Sequence, residues 1–276
     1  MNFFPPVSPG LERVAVLERQ IDASLERVWE NVLDWEHLPW LHRKDFASIE
    51  PIEQGSWGWR VRTESTAQPG HPFTVELEVD LPEGHYVTRT LDGPSARTEI
   101  WTRLQPKGRD ATSIRVEFWV PTFSKMSNEA IGKRYLALYQ RLWSEDEAMM
   151  IERSEALRSK PVGKAAGEST VRIDLGTPSE VRARLPFCIN FAGNTWRLCA
   201  VDDELVVHDA VCPHALGPLV DEPTEAEQPG QVECPWHGFR FDVRTGRSSD
   251  GRRLRLRTPP RLVEDTASGT LTLVMR

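Results

Sequence analysis

Cys212-Pro213-His214 and Cys234-Pro235-Trp236-His237-Gly238 each offer one thiolate and one imidazole from a tight loop, with nineteen residues between His214 and Cys234. Four soft and borderline donors of this kind suit an iron–sulfur cluster or a zinc ion. Zinc commonly takes paired ligands two to four residues apart. Cys-x-His leaves one residue between them, which favours the cluster. A second group of donors lies far upstream. His37 and His42 are five residues apart with Pro39 between them. Positions three or four apart share a face of an unbroken helix and positions five apart do not, so a break at Pro39 is expected if the two imidazoles converge. Without convergence they are polar residues at a helix end. Further on, Ile131, Tyr135, Leu138, Tyr139, Leu142, Trp143, Met149 and Met150 mark a broad apolar sector at helical spacing, and Asp146 falls inside it. A buried carboxylate needs a cation or a proton, which makes Asp146 a candidate ligand. Glu145, at the sector's edge, is the weaker candidate. The alternative for Asp146 is a surface position in an acidic run.

These donors need elements to hold them. The chain has 276 residues, enough for two domains, with 39% hydrophobic and 27% charged residues, a globular composition. A net charge of −7 gives no electrostatic case for binding nucleic acid or an anionic membrane. No apolar run of about 18 residues exists, and Met1-Asn2-Phe3-Phe4-Pro5-Pro6 lacks the features of a signal peptide, so a cytoplasmic protein is expected. Four cysteines in such a chain are not a disulfide framework. Cys188 and Cys199 read as small buried hydrophobes. His71 and His85 read as surface histidines. Trp35, Trp40, Trp57, Trp59, Trp101 and Trp119 read as core and cavity wall.

The pattern before residue 158 is strand, helix, several strands, long helix. Residues 12–21 read as a strand. Ser24 offers a helix cap, and Leu25, Val28, Trp29, Val32 and Leu33 follow at helical spacing. Strand-like runs follow at 57–63, 73–80, 85–91, 97–104 and 112–120, and Asn128 caps a helix running to about 158. Residues 159–170, polar and rich in Gly and Ala, read as a linker. After it come short strands at 188–193, 195–201, 204–209, 231–233, 239–242, 253–257 and 270–275. The run Arg252, Arg253, Arg255, Arg257 alternates with leucines, as an edge strand would. The expected class is α+β, with domains at 1–158 and 171–276.

Two resemblances add to this reading. Val211-Cys212-Pro213-His214-Ala215-Leu216-Gly217-Pro218-Leu219 and Cys234-Pro235-Trp236-His237-Gly238-Phe239-Arg240-Phe241-Asp242, with Thr245-Gly246 after them, resemble the Rieske domain. That resemblance implies a [2Fe-2S] cluster with Cys212 and Cys234 on one iron and His214 and His237 on the other. Gly217 and Trp236 stand where high-potential versions carry a bridging cysteine pair. Phe239 and Phe241 offer no hydroxyl to the sulfurs, so the lower-potential type found in oxygenases and soluble ferredoxins is implied. Residues 10–158, opening with Ile21-Asp22-Ala23-Ser24-Leu25-Glu26-Arg27-Val28-Trp29, resemble the START-like helix-grip fold, a curved sheet around its last helix with an apolar cavity.

Asn31, Asp34, His37 and His42 are similar to the Asn-x-x-Asp-x-x-His-x-x-x-x-His motif of Rieske non-haem iron oxygenases, and Ser144 to Glu152 is similar to their acidic segment. The resemblance implies Fe(II) on His37, His42 and Asp146, a two-histidine, one-carboxylate triad with positions open to dioxygen. It implies an electron-transfer bridge at Asp34 that faces His237, in that family across neighbouring subunits of a trimeric ring. It further implies an external ferredoxin or flavin reductase, and hydroxylation or oxidative demethylation of an apolar or aromatic small molecule. Here the domain order is the reverse of the family's, and the catalytic half is short. The alternative is a helix-grip domain that binds a ligand without iron, fused to a Rieske electron carrier or redox sensor.

Overall fold

The computed structural model describes residues 7–122, 126–159, 170–219 and 230–275. The chain forms two compact units, Met1–Ser154 and Glu155–Arg276. No helix among the described residues is long and apolar enough to cross a membrane.

The first unit is an antiparallel sheet and three helices: β1 (Leu11–Ile21), α1 (Leu25–Leu33), α2 (Leu38–Leu41), β2 (Phe46–Gly55), β3 (Gly58–Ser65), β4 (Phe73–Asp80), β5 (His85–Thr90), β6 (Glu99–Pro106), β7 (Thr112–Pro121) and α3 (Asn128–Ser159). The strand order is β1-β7-β6-β5-β4-β3-β2. Consecutive strands are joined by hairpins except at one place. There the chain runs from β1 through the two short helices to β2 at the opposite edge, and the meander back ends with β7 paired to β1, Ile21 opposite Thr112. Strand alternation sends one face inward, as in β7, where Ile114, Val116 and Phe118 are fully buried. Helix α3 covers that face. Tyr135 stacks on Phe118 at 5.2 Å and Tyr139 meets it edge-on at 4.8 Å. Gly132 permits the close approach of α3 to β1, since a Cβ there would lie 2.4 Å from the Val14 carbonyl oxygen. A sheet gripping one long C-terminal helix is the helix-grip arrangement expected from the sequence.

Several expectations shift in detail. Strand β2 lies in a stretch of mostly exposed residues with little alternation, which hid it in the sequence. Helix α3 is capped by Ser127, whose Oγ accepts from the Ala130 N–H at 3.3 Å, one residue before the expected Asn128. Asn128 instead donates to Glu12 at 2.5 Å. His85 is buried, not on the surface, with its ring 5.8 Å from that of Trp101.

The second unit comprises β8 (Val171–Gly176), α4 (Pro178–Ala183), β9 (Phe187–Phe191), β10 (Asn194–Val201), β11 (Glu204–Asp209), β12 (Gln231–Glu233), β13 (Arg240–Asp242), β14 (Arg261–Asp265) and β15 (Thr270–Met275). They form two three-stranded sheets, β11-β10-β9 and β14-β15-β8, and the small hairpin β12-β13. Leu175, Val181, Trp196, Leu198 and Leu273 build the core, with the Trp196 indole donating to the Phe191 carbonyl at 3.0 Å. Helix α4 has a full capping box, Thr177 with Glu180, and Pro178 in its first turn. Strands β8 and β14 and helix α4 were not foreseen. The expected strand 253–257 is absent, with a single bridge at Arg255 in its place. Its arginines are taken up individually: Arg257 by Asp209, Arg252 by Asp250 and by the face of Phe239. Cys188 is exposed and Cys199 half-buried, so neither is the buried hydrophobe expected. Cys188 lies on the outward side of β9, whose burial alternates. The division between units falls within α3 at 154/155, and of the expected linker 159–170 all but Ser159 and Thr170 lie outside the described residues.

Two candidate metal centres and a cavity

The first centre begins with how α1 ends. Ser24 caps α1, its Oγ accepting from the Arg27 N–H at 3.3 Å. The helix stops at Leu33. Asp34 leaves helical geometry at ψ 97°, and its Oδ1 accepts the Glu36 N–H at 3.1 Å, which turns the chain. A new single turn, α2, starts after His37. The Leu41 N–H donates to the His37 carbonyl at 2.8 Å, and the His42 N–H to that of Leu38 at 3.2 Å. The break therefore falls at residues 34–37 and not at Pro39. Pro39 occupies the first turn of α2, where its missing N–H leaves no bond unmade. His37 and His42 sit at the two ends of that turn with ring centroids 5.2 Å apart.

Helix α3 brings the carboxylates. Arg141 clamps it to the turn after α2 through Asp45, at 2.5 and 3.2 Å. On the other side Glu147 accepts from the Asp22 N–H at 2.6 Å. Between these anchors Asp146 Oδ1 lies 3.1 Å from His42 Nε2 and 3.4 Å from His37 Nε2. All three side chains are buried. Glu145 Oε2 stands 2.6 Å from His42 Nδ1, on the far side of that ring. The sequence made Glu145 the weaker ligand candidate. The geometry makes it the partner that orients a ligand histidine. Asp34 Oδ2 is 3.9 Å from His37 Nδ1, beyond hydrogen-bond range.

Burial opposes the Asp146 carboxylate, yet hydrogen bonds from His37 and His42 outweigh it and hold the group well below the usual carboxylate range. Burial likewise pushes His42 down, and Asp146 with Glu145 reverses this and raises it. The residues fit a divalent ion. One donor atom from each of His37, His42 and Asp146 lies within 4.8 Å of the others. Bonds of about 2.1 Å place neighbouring ligands about 3 Å apart, close to the separations seen. Two buried polar atoms beside the trio, His37 Nδ1 and Asn31 Oδ1, have no hydrogen-bond partner among the described residues.

The trio lies in the wall of a cavity of about 510 Å³. Its other walls are mostly apolar, with Trp59, Val61 and Leu77 from the sheet and Leu138, Leu142 and Trp143 from α3. The Trp59 indole donates to the Val32 carbonyl at 3.0 Å, which fixes its ring beside α1. Of the six tryptophans read as core or cavity wall, Trp59 and Trp101 are buried and Trp59 lines the cavity.

The second centre is built by two loops that each close on their own cysteine. In the first, the Cys212 N–H donates to the Gly217 carbonyl at 2.8 Å and the Leu216 N–H to that of Cys212 at 3.1 Å. In the second, the Cys234 N–H donates to the Phe239 carbonyl at 2.9 Å and the Gly238 N–H to that of Cys234 at 2.8 Å. The fourth residue after each cysteine, Leu216 or Gly238, has a positive φ, 68° or 65°. Backbone N–H groups of His214 and Ala215 turn toward the Cys212 sulfur, and those of Trp236 and His237 toward Cys234. The hydrogen bond between the two sulfurs lowers Cys212, and the same bond together with burial raises Cys234.

The residues fit a two-iron cluster. Both cysteines are fully buried, and the two imidazoles lie 4.6 Å apart at 87°, His237 buried and His214 exposed. Gly217 is required. A Cβ there would lie 2.9 Å from Cys234 Sγ and 2.8 Å from the Trp236 ring.

Asp209, which sequence reading missed, fixes the first loop. It is buried, accepts the Val211 N–H at 3.1 Å, and holds the Arg257 guanidinium at 2.6 and 2.8 Å. Its only signal was its place just before the loop.

The family model of the Rieske [2Fe-2S] domain matches residues 172–260. No curated protein matches the chain. Similar solved structures include a START superfamily protein from Mycobacterium smegmatis, 17% identical, TM-score 0.43, covering 49% of this chain and 95% of that one. The Zhui aromatase/cyclase from Streptomyces sp. R1128 is 15% identical, TM-score 0.42, with 56% and 99% covered. The ferredoxin of carbazole 1,9a-dioxygenase from Nocardioides aromaticivorans IC177 is 28% identical, TM-score 0.31, with 38% and 96% covered. Residues 172–260 form a Rieske [2Fe-2S] domain, an electron-transfer module, and the N-terminal half of the chain has the START-like helix-grip fold.

Proposed function

We propose that the chain is a Rieske-type non-haem iron oxygenase with its catalytic unit ahead of its cluster domain, acting by hydroxylation or oxidative demethylation on an apolar or aromatic small molecule. The observation that carries this is the convergence of His37, His42 and Asp146, all buried, in the wall of a 510 Å³ cavity. In this reading Fe(II) on those three residues supplies dioxygen activation, and the cluster supplies single electrons drawn from an external ferredoxin or flavin reductase. The chain's own residues do the positioning. Glu145 holds the His42 ring with one nitrogen turned to Asp146. The apolar walls exclude water and hold the substrate beside the trio. Asp34, near His37, is assigned the contact with His237 of a cluster domain, within a homo-oligomer such as a trimer.

One observation favours a second reading. His42 Nε2 stands 3.1 Å from Asp146 Oδ1, so a protonated His42 can itself neutralise the buried carboxylate in a cavity that binds a ligand without iron. Iron and acid-labile sulfide per chain separate the two, measured on protein purified anaerobically and loaded with ferrous iron. About three irons to two sulfides, falling to about two to two in Asp146→Ala, is expected. A ratio of two to two in both proteins would refute the oxygenase. Under the oxygenase reading His42→Ala should also abolish turnover and leave the cluster spectrum intact.

A further inference from the structure

The cavity wall contributed by α3 is ordered along its length. Positions 134, 138, 142 and 146 recur at four-residue intervals, and all four residues line the cavity. Asp146 stands at one end beside the two histidines, Leu138 and Leu142 fill the middle, and Arg134 stands at the other end. Twelve residues of helix put Arg134 about 18 Å along the axis from Asp146. Arginine side chains on a helix lean toward its N-terminus, which carries the guanidinium further from the trio. Tyr135, next to it, has Ser95 and Thr98 as hydroxyl partners, so this end lies against the connection between β5 and β6, where Pro94 and Ser95 also line the cavity.

Among the described residues Arg134 is the only arginine or lysine in the lining. Most arginines of this unit are engaged, among them Arg19, Arg60, Arg89, Arg115 and Arg141, each in an ion pair. Arg134 is exposed and has no ion pair or hydrogen bond among the described residues. Arg134 also borders a neighbouring pocket lined by Met126 and Ile131. A planar guanidinium at the exposed end of an apolar cavity is a receptor for a carboxylate or sulfonate, which it binds through paired N–H donors.

We propose that the cavity takes an elongated organic acid, whose anionic group meets Arg134 at that end and whose apolar body lies along Leu138 and Leu142 toward His37, His42 and Asp146. This rests on the oxygenase reading for the fate of the molecule and names its substrate class. The acid's charge would then fix which end of the molecule enters first, placing a carbon remote from the carboxylate beside the trio.

The test is a fluorescence titration of the full-length, cluster-containing protein with 11-(dansylamino)undecanoate and with its methyl ester. The wild type should prefer the acid. Arg134→Gln should weaken the acid about tenfold and leave the ester unchanged, and Arg134→Lys should keep part of the preference. Leu138→Trp, which narrows the cavity, should weaken both probes. Equal affinity for acid and ester in the wild type, an equal loss of both in Arg134→Gln, or no binding of either would overturn the proposal. Binding needs no iron and no turnover, so it can fail while the iron-to-sulfide ratio supports an oxygenase, and it can succeed while that ratio refutes one.

Discussion

Ferrous iron should raise the unfolding temperature of the first unit, and by an amount that can be worked out. His42 and Asp146 are 104 residues apart in the chain. The unfolded polypeptide therefore offers isolated donors and no site, so a metal held by the trio binds the native state alone. At a free metal concentration 100 times Kd this linkage contributes about 2.7 kcal/mol. For a domain of 150–250 residues 1 kcal/mol moves the midpoint by about 2–4 °C, so a shift of about 5–11 °C is expected. The measurement is anaerobic circular dichroism at 222 nm, where the long helix α3 dominates, with and without ferrous iron. Visible absorbance of the cluster follows the second unit separately. Asp146→Ala keeps both histidines and removes the carboxylate, and its own midpoint should be almost indifferent to the metal. Shifts of equal size in the two proteins would mean that the metal binds elsewhere, and no shift in the wild type would mean that the trio is a hydrogen-bonded cluster and nothing more.

Other substitutions read the same sites. Glu145→Gln replaces the carboxylate 2.6 Å from His42 Nδ1 with an amide, and ferrous iron should bind about 10–100-fold more weakly in a metal titration while the cluster content stays constant. Gly217→Ala puts a methyl group 2.9 Å from Cys234 Sγ, so purified protein should lose most of its cluster absorbance and sulfide while keeping the helical signal of the first unit. A normal cluster content would refute the packing described for that loop. Arg257→Ala leaves the buried Asp209 without its guanidinium. The loss of stability in urea unfolding should be about 2–3 kcal/mol, below the value for a fully buried pair because the Arg257 side chain is 44% exposed. A loss below about 0.5 kcal/mol would show that Asp209 is held by the loop's backbone alone.

The two centres differed in how much of them the sequence disclosed, and the difference is one of chain distance. Each cluster loop is a closed turn of five or six residues whose ligands, glycine and backbone bonds are adjacent in sequence, so spacing alone nearly defines it. The upstream trio joins one helical turn to a helix about a hundred residues away. Periodicity could place Asp146 on the buried sector of α3, and it could not show what that sector faced. The break between α1 and α2 was located too late in the sequence, because Pro39 is the stronger local signal and the Asp34 side chain, which makes the turn, is an ordinary polar residue until its bond to the Glu36 N–H is seen. The arginine run at 252–257 failed for a related reason. Alternation of charge and leucine is shared by an edge strand and by an extended segment whose side chains are bound one at a time, and only tertiary partners such as Asp209 and Phe239 distinguish them.

Glu145 and Asp146 show why neighbouring carboxylates can divide one task. Adjacent helical positions are 100° apart, so both reach the same imidazole only if that ring stands between them, and His42 does. Asp146 faces one nitrogen and shares its oxygen with His37. Glu145 faces the other and, unlike His42 and Asp146, is not itself part of the cavity lining. Exchanging the pair, Glu145→Asp with Asp146→Glu, keeps the charge and composition but shortens the reach to Nδ1 and lengthens the reach into the trio. If the division of roles is right, the exchanged protein should fold and carry its cluster yet bind ferrous iron poorly. Wild-type iron affinity in that variant would show that any acidic side chain at either position suffices, and that Glu145 has no separate part in orienting His42.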